Sequence, residues 1–207
     1  MSLVLGLSIE RFLDPLIFTG QSDDPRKSLK RYASTVRHVI KWHYGNVWHF
    51  SDDDAHRSIM SVKKIHQRVT QELTESAKSK DKSTVTDGSN GTDHGVFLSQ
   101  YDMALVQSGF MGMITMYPES FGLEKNVSRL DDYIYFWRGI GHLLGVSDKN
   151  NICNDGYGKA YAVCKEIEHN IVIPALQNPP TDFFKMMNAV IDGLHLFTKY
   201  RLFTFEE

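Results

Sequence analysis

The chain has 207 residues, of which 42% are hydrophobic and 23% charged, so it is long enough for one globular domain with a real core. Its formal net charge of -2 argues against nucleic acid as a partner, because no basic excess is available to displace counterions. The two cysteines, Cys153 and Cys164, form neither a disulfide framework nor a metal-type pair. No apolar run reaches the ~20 residues of a membrane span, and no basic leader of a signal peptide is present.

These features favour an intracellular or membrane-associated protein. Any membrane contact is expected through segments at the ends of this chain or outside it. The last residues are still rich in aromatic side chains, which indicates either a docking tail or a piece of a longer protein.

The first long helix is predicted from about Arg26 to Tyr44, after an apolar opening that ends near Gly20. Its apolar face holds Tyr32, Val36, Val39, Ile40 and His43. A second stripe is neither plainly apolar nor plainly solvated, and it consists of Arg31, Thr35, His38 and Trp42, with Ser34 beside them. A hydrogen-bonded interface with another helix and a functional surface both fit this stripe.

The second helix is predicted over residues 53 to 74, and one histidine interrupts its apolar face. That face consists of Ile59, Val62, His66, Val69 and Leu73. His66 is either an ordinary core histidine or a residue that holds a ligand. Residues 75–95 contain almost nothing that a core would bury, so they predict a mobile polar loop.

A third helix is predicted after the loop, because Ser99 and Asp102 have the spacing of an N-terminal capping box. Its expected buried face holds Met103, Val106, Phe110, Met113 and Tyr117. Gly109 and Gly112 each cost about 1 kcal/mol inside a helix. They indicate either that something flat passes there or that another helix packs closely.

A fourth helix is predicted from a second capping-box spacing, Ser128 to Asp131, and Gly145 suits its C-terminal cap. Its expected buried face holds Tyr133, Ile134, Trp137, Ile140 and Leu144. Further helices are predicted at about 156–173 and 181–198. No alternating strand pattern is present, so we predict an all-α bundle that forms one domain over residues 1–207.

The nine histidines do not form a recognisable metal motif. There is no His-Glu-x-x-His helix, and the one Glu-x-x-His pair, Glu166 and His169, falls short of the two that a di-iron bundle needs. Haem requires only one axial histidine on a helix and an apolar slot for the ring. His66 in its apolar stripe is compatible with that requirement.

Four segments occur in a recognisable order: "RYAST" at 31–35, "VKKIH" at 62–66, "SQYDMALVQSGFMG" at 99–112 and "FWRGIGHLLGVSDKNNIC" at 136–153. Together they resemble the family of the latex-clearing protein, or rubber oxygenase, and of the membrane-bound fungal oxygenases. The last segment is closest to animal members of unknown activity. The resemblance implies an all-helical fold with a b-type haem between the helices, where dioxygen is activated to cleave double bonds in isoprenoid chains.

The resemblance assigns roles to individual residues. The family's haem-ligating histidine ends a Val-Arg-x-x-His motif and matches His66, with Lys63 in place of the arginine. A distal Arg-x-x-Lys-Thr motif matches Arg31 and Thr35 as catalytic groups, with Ser34 in place of the lysine.

Two further expectations concern the pocket walls and the catalytic carboxylate. Val106 and Phe110 are expected to line the cofactor pocket, and Val106 stands where relatives often have threonine. The family's catalytic glutamate precedes the arginine motif, where Glu10 and Asp14 are both candidates. The distal side therefore departs from the family pattern more than the proximal side does.

The leading hypothesis is a haem b-dependent oxygenase whose partners are dioxygen and a hydrophobic unsaturated molecule. The first alternative is a non-catalytic haem- or lipid-binding member of the same fold, favoured by the altered distal motif. The second is a helical interaction domain in which His66 is a hydrogen-bonded core residue.

Overall fold

Helices form all the regular structure in the part of the chain that the computed structural model describes, which is residues 6–48, 53–83 and 98–200. In chain order they are α1 (Glu10–Thr19), α2 (Pro25–Tyr44), α3 (Asp54–Ser83), α4 (Gln100–Met116), α5 (Val127–Leu144), α6 (Gly156–Ile167), α7 (Ile173–Gln177) and α8 (Phe183–Thr198). A π-helix, Glu168–Val172, joins α6 to α7, and single 3-10 turns follow α4 and α5, at Pro118–Phe121 and Asp148–Asn150. The prediction of an all-α single domain is confirmed.

The helix ends show which capping predictions were right. Ser99 and Asp102 form the predicted capping box at the start of α4, and Gly145 ends α5 with a φ of 105°. The second capping-box prediction was wrong, because Asn126 caps α5 through the Arg129 amide. Asp131 instead accepts a hydrogen bond of 2.7 Å from the Tyr157 amide, and so ties α5 to the start of α6.

The helix of His66 ends later than predicted. α3 continues to Ser83, so residues 75–83 are helical and not part of a loop. Side-chain hydrogen bonds one turn apart support this extension, from Thr74 Oγ1 to the Thr70 carbonyl and from Gln71 to Glu75. The rest of the predicted loop, residues 84–95, lies outside the described residues.

The larger core forms where α2, α3, α4, α5 and α6 meet. The residues that fill it are Trp42, Val47, Ala55, Ile59, Met111, Leu130, Ile134, Trp137, Ile140, Cys153, Tyr157, Ala160 and Cys164. Within it, Gly112 of α4 faces Cys164 of α6, and a Cβ at Gly112 would lie 3.2 Å from the Cys164 sulfur. Close helix packing, one of the two explanations offered for the α4 glycines, therefore holds at Gly112.

A second core joins the first and last helices. Leu7, before α1, and Leu13 of α1 pack with buried residues of α8, which are Phe183, Met186, Met187, Val190 and Ile191. Gly193 lets α8 lie against the start of α2, since a Cβ there would fall 2.5 Å from the Pro25 carbonyl oxygen.

Two predicted apolar faces differ from the buried faces. On α2, Val36 and Ile40 are 57% and 52% exposed, while the mixed stripe turns towards α3. On α4, Met103 is buried as predicted, but Phe110 is 38% exposed. The buried face of α4 is instead completed by Leu105, Gln107, Met111, Gly112 and Thr115.

Candidate functional site

The mixed stripe of α2 forms a hydrogen-bonded interface with α3. His38 Nδ1 lies 2.6 Å from Ser58 Oγ, and Trp42 Nε1 donates to the same oxygen at 3.1 Å. The Ser58 hydroxyl therefore accepts from Trp42 and shares a second hydrogen bond with His38 Nδ1, whose direction is set by the imidazole tautomer. The two helices are in direct contact at this level.

The same interface places Arg31 opposite His66. The two helices run antiparallel. Arg31 lies about two turns before His38 in α2, and His66 lies about two turns after Ser58 in α3, so Arg31 and His66 come to the same level of the interface. The charge of Arg31 reaches His66, where it acts together with burial to lower the histidine pKa. The sequence motifs of Arg31 and His66 are thus brought together in space.

His66 is a neutral histidine, and no described residue forms a hydrogen bond with its side chain. Burial is the larger cause of its lowered pKa, and the Arg31 guanidinium is the second. Its Nδ1 is fully buried, and within the described residues neither ring nitrogen donates or accepts a hydrogen bond. His66 is therefore not the hydrogen-bonded core histidine that the interaction-domain alternative requires.

Arg31 and Thr35 are both held by neighbouring groups. Arg31 Nη1 donates to Thr19 Oγ1 at 2.9 Å, which ties α2 to the end of α1. Burial lowers the pKa of the guanidinium, against the opposing effect of Tyr32. Thr35 Oγ1 donates to the Arg31 carbonyl at 3.2 Å, so its proton is used within its own helix. A ligand that needed the Thr35 proton would have to break this bond.

The two expected pocket walls lie on α4, next to α5. Phe110 stacks on Trp137, with ring centroids 5.8 Å apart and an interplanar angle of 26°, and Val106 is half-buried. Among the described residues, no hydrogen bond or ring contact joins either of them to His66, Arg31 or Thr35. The structure thus unites three of the five expected site residues at one interface.

Haem fits the proximal half of this arrangement. A ring nitrogen that is neutral and unpaired is the form in which histidine binds iron. The ring cannot lie at the level of His38 and Ser58, because their 2.6 Å contact closes the interface there. Haem bound to His66 would have to lie at the other end of the interface, which Arg31, His66 and Thr19 share.

The catalytic carboxylate is not identified by the geometry. Glu10 is exposed at the first position of α1, and the side chain of Asp14 lies outside the described residues. Sequence reasoning gave Asp102 only a capping role, yet its carboxylate is 3% exposed and receives two hydrogen bonds from Arg11, at 2.9 and 3.0 Å. Burial alone would raise the pKa of Asp102, but the bonds from Arg11 and Ser99 outweigh it and the pKa is lowered.

The most specific sequence block, residues 136–153, packs α5 against its neighbours. A Cβ at Gly139 would lie 2.3 Å from the Trp48 ring, and one at Gly141 would lie 2.6 Å from Gln107 Nε2. Gln107 Nε2 donates to the Trp137 carbonyl at 2.9 Å and to Asn151 Oδ1 at 3.0 Å. This block therefore packs α5 against α4 and the segment that follows α2.

The described part of the chain is thus all-helical, and at its α2–α3 interface His66 has no hydrogen-bonding partner among the described residues. The family model described as "ER-bound oxygenase mpaB/B'/Rubber oxygenase, catalytic domain" matches residues 1–155. The chain belongs to this family, which supports an oxygenase-type function. No curated protein and no solved structure matches the chain.

No group of three or more His, Cys, Asp or Glu residues in the part of the chain that the structure describes is arranged to hold a metal ion. None of the described helices combines the length and the apolar character that crossing a membrane requires.

Proposed function

We propose that the protein is a haem b-dependent oxygenase that uses dioxygen to act on hydrophobic unsaturated molecules of the isoprenoid type. The observation that carries this proposal is His66, a neutral imidazole opposite Arg31 that has no hydrogen-bonding partner in the part of the chain that the structure describes. It lies within the residues that match the oxygenase family.

The residues present would have separate roles on the two sides of the haem. His66 would bind the iron, and the haem would supply the redox chemistry that dioxygen requires. Arg31 would place a fixed positive charge and N–H donors beside the substrate dioxygen, where charge develops during its reduction. The apolar side chains of Val106 and Phe110 would favour a hydrocarbon substrate over a polar one.

The second candidate is a haem- or lipid-binding protein without oxygenase activity. Two observations favour it: the Thr35 hydroxyl donates to its own helix, and Arg31 is held by Thr19. The replacement of the family's distal lysine by Ser34 points the same way, because one positive charge is missing from the distal side.

Oxygen uptake by the haem-reconstituted protein separates the two candidates. Squalene, an unsaturated isoprenoid, and squalane, its saturated counterpart, form a matched pair of equal carbon skeleton. The oxygenase predicts uptake with squalene and none with squalane. A Soret band without uptake on squalene or on shorter isoprenoids would favour the binding protein, and no Soret band would rule out both haem functions.

A further inference from the structure

The solvent side of α2 is both apolar and basic. The helix packs against α8 through Leu29 and against α3 through His38, and a strip of exposed side chains lies between these two contacts. We call this strip the outer face of α2. It consists of Arg26, Lys30, Ala33, Val36, Arg37, Ile40 and Tyr44. The spacing of three or four residues keeps these side chains on one side of the helix.

The apolar part of the outer face is one continuous stripe. Val36, Ile40 and Tyr44 follow one another one turn apart, which places each side chain next to the following one. All three are more than half exposed, and Tyr44 reaches 90%. The opposite side of α2, which holds Ser28 and Trp42, is the one that packs in the protein. Contiguous exposed apolar side chains mark interaction surfaces, whereas scattered ones are ordinary.

The charge of α2 is opposite in sign to that of the rest of the chain. The helix contains no Asp or Glu, and its basic residues are Arg26, Lys27, Lys30, Arg31, Arg37 and Lys41. These six cations give α2 a formal charge of +6, whereas the whole chain has -2, so the other residues together sum to -8. Among the residues that the structure describes, none forms an ion pair with Arg26, Lys30 or Arg37 of the outer face.

The carboxylates before α2 do not cancel this charge at the apolar stripe. Asp24 caps the helix by accepting from the Arg26 and Lys27 amides at 3.0 Å, and Asp23 precedes it. At 1.5 Å per residue, Val36 lies about 18 Å further along the helix than Asp24. That distance exceeds the ~8 Å over which salt screens exposed charges under physiological conditions.

The neighbouring helices also leave the charge in place. Asp54 of α3 is shared between two cations, Lys41 and Arg57. Where α8 begins, Asp182 and Lys185 add one charge of each sign. The apolar stripe of α2 is therefore bordered by positive charge.

A bilayer with anionic headgroups fits this face better than nucleic acid or a protein partner does. Nucleic acid would use the cations but would leave the apolar stripe in water. A stable protein interface buries about 800 Å² on each partner, which is more than one convex row of three apolar side chains offers. A bilayer accepts a helix that lies in its plane, with apolar side chains below the headgroups and cations among them.

We propose that the outer face of α2 docks the protein on an anionic membrane surface. The apolar stripe enters the boundary between headgroups and acyl chains, where the Tyr44 ring is a suitable anchor. Arg26, Lys30 and Arg37 pair with the charged groups of anionic lipids. This docking does not depend on the proposed oxygenase function, and it is tested on the haem-free protein.

Binding is measured by co-flotation of the full chain with two kinds of vesicle, phosphatidylcholine alone and phosphatidylcholine with about a third of phosphatidylserine. The protein should float with the anionic vesicles, and added salt should release it. Arg37→Gln should weaken this binding about fivefold, the value of one basic side chain near an anionic surface. Lys159→Gln removes an exposed cation of α6 and should leave the binding unchanged.

Ile40→Gln tests the apolar stripe separately, because it leaves the charge of the face unchanged. It should weaken binding to the anionic vesicles by several-fold, since less hydrocarbon enters the bilayer. Ile173→Gln, at an exposed isoleucine of α7, is the matched control and should bind like the unmodified protein.

Three results of the flotation experiment would overturn the proposal: no binding to either vesicle, equal binding to both, or control variants that weaken binding as much as the test variants. Sedimentation velocity provides the remaining arm. A dimer that Ile40→Gln dissociates would assign the outer face to a second copy of the chain, and it would overturn the proposal as well.

Discussion

At the scale of single residues, the interface of α2 and α3 is held by one shared hydroxyl. Ser58 Oγ accepts from Trp42 Nε1 and is hydrogen-bonded to His38 Nδ1, and both Ser58 and Trp42 are buried. Sequence periodicity showed that Trp42 and His38 share a stripe, but it did not reveal that Ser58 was their partner. Partners across an interface depend on the register of two helices, which a single helix pattern does not contain.

Ser58→Ala should destabilise the fold by about 1–3 kcal/mol, because it leaves the buried Trp42 Nε1 without its acceptor and removes the partner of the half-buried His38. Ser61→Ala on the same helix is the matched control. Ser61 is exposed, so its replacement should be neutral or slightly stabilising. Urea unfolding of both variants gives the comparison, and equal effects would show that Ser58 is not a shared partner.

The pH dependence of stability should follow from His38. Burial lowers the pKa of its imidazole, and Lys41 and Arg37 lower it further. The unfolded chain therefore binds this proton more tightly than the folded chain, so stability is lost as pH falls below the ordinary histidine pKa of about 6.5. His66, whose pKa is also lowered, acts with the same sign.

The unfolding free energy of the haem-free protein should therefore decrease between pH 7.5 and pH 5.5, and His38→Gln should make this decrease smaller. The lowered pKa of Asp102 acts only at more acidic pH, because a carboxylate titrates well below this window. A stability that rises as the pH is lowered through this window would contradict the assignment of both histidines.

At the scale of elements, sequence patterns located the helices better than their buried faces. Caps made of local residues, such as Ser99 with Asp102, were predicted because their partners are three residues apart. The buried face of α4 was not, because Gln107 is buried by its bonds to the Trp137 carbonyl and Asn151, 30 and 44 residues away. A polar residue that is buried by distant partners cannot be recognised as buried from the pattern of apolar residues in its own helix.

Gly141→Ala tests the closest of these contacts. A Cβ at this position would lie 2.6 Å from Gln107 Nε2 and 3.0 Å from Asn151 Nδ2, so the buried network must shift. We expect a loss of about 1–3 kcal/mol in thermal or urea unfolding. Gly158→Ala is the control, since nothing lies within 4 Å of its Cβ position, and a helical alanine there should be neutral or stabilising.

At the scale of the whole molecule, the helices beyond the family match complete both cores. Ala160 and Cys164 of α6 belong to the larger core, and α8 supplies most of the second. The composition and the missing strand signal were enough to predict an all-α domain. They did not predict that α1 and α8, from opposite ends of the chain, would share a core, because sequence periodicity carries no information on long-range pairing.

A chain of residues 1–155 should therefore fail to unfold cooperatively, although it contains the whole family match. Without α8, Leu7 and Leu13 lose the apolar partners that bury them. Thermal unfolding followed by far-ultraviolet circular dichroism, with the full chain as reference, tests this expectation. A sharp transition in the shortened chain would show that residues 156–207 are not needed for folding.

The same distinction applies to the candidate site, where the residues are recognised from local motifs but their arrangement in space depends on long-range packing. His66, Arg31 and Thr35 were predicted as site residues because the motifs that carry them are short and continuous. That Arg31 faces His66, and that Thr19 holds Arg31, depends on how α1, α2 and α3 pack. The central claim is that this interface binds haem through His66.

The most direct measurement is the Soret absorbance of haem-reconstituted His66→Ala, beside Arg31→Ala and His142→Ala. His142 is an exposed histidine of α5 and serves as the control for losing an imidazole. We expect His66→Ala to lose most of the Soret absorbance while its helical signal remains, and we expect the other two variants to keep their haem. If His66→Ala keeps its haem in full while Arg31→Ala loses it, the assignment of the two residues is contradicted.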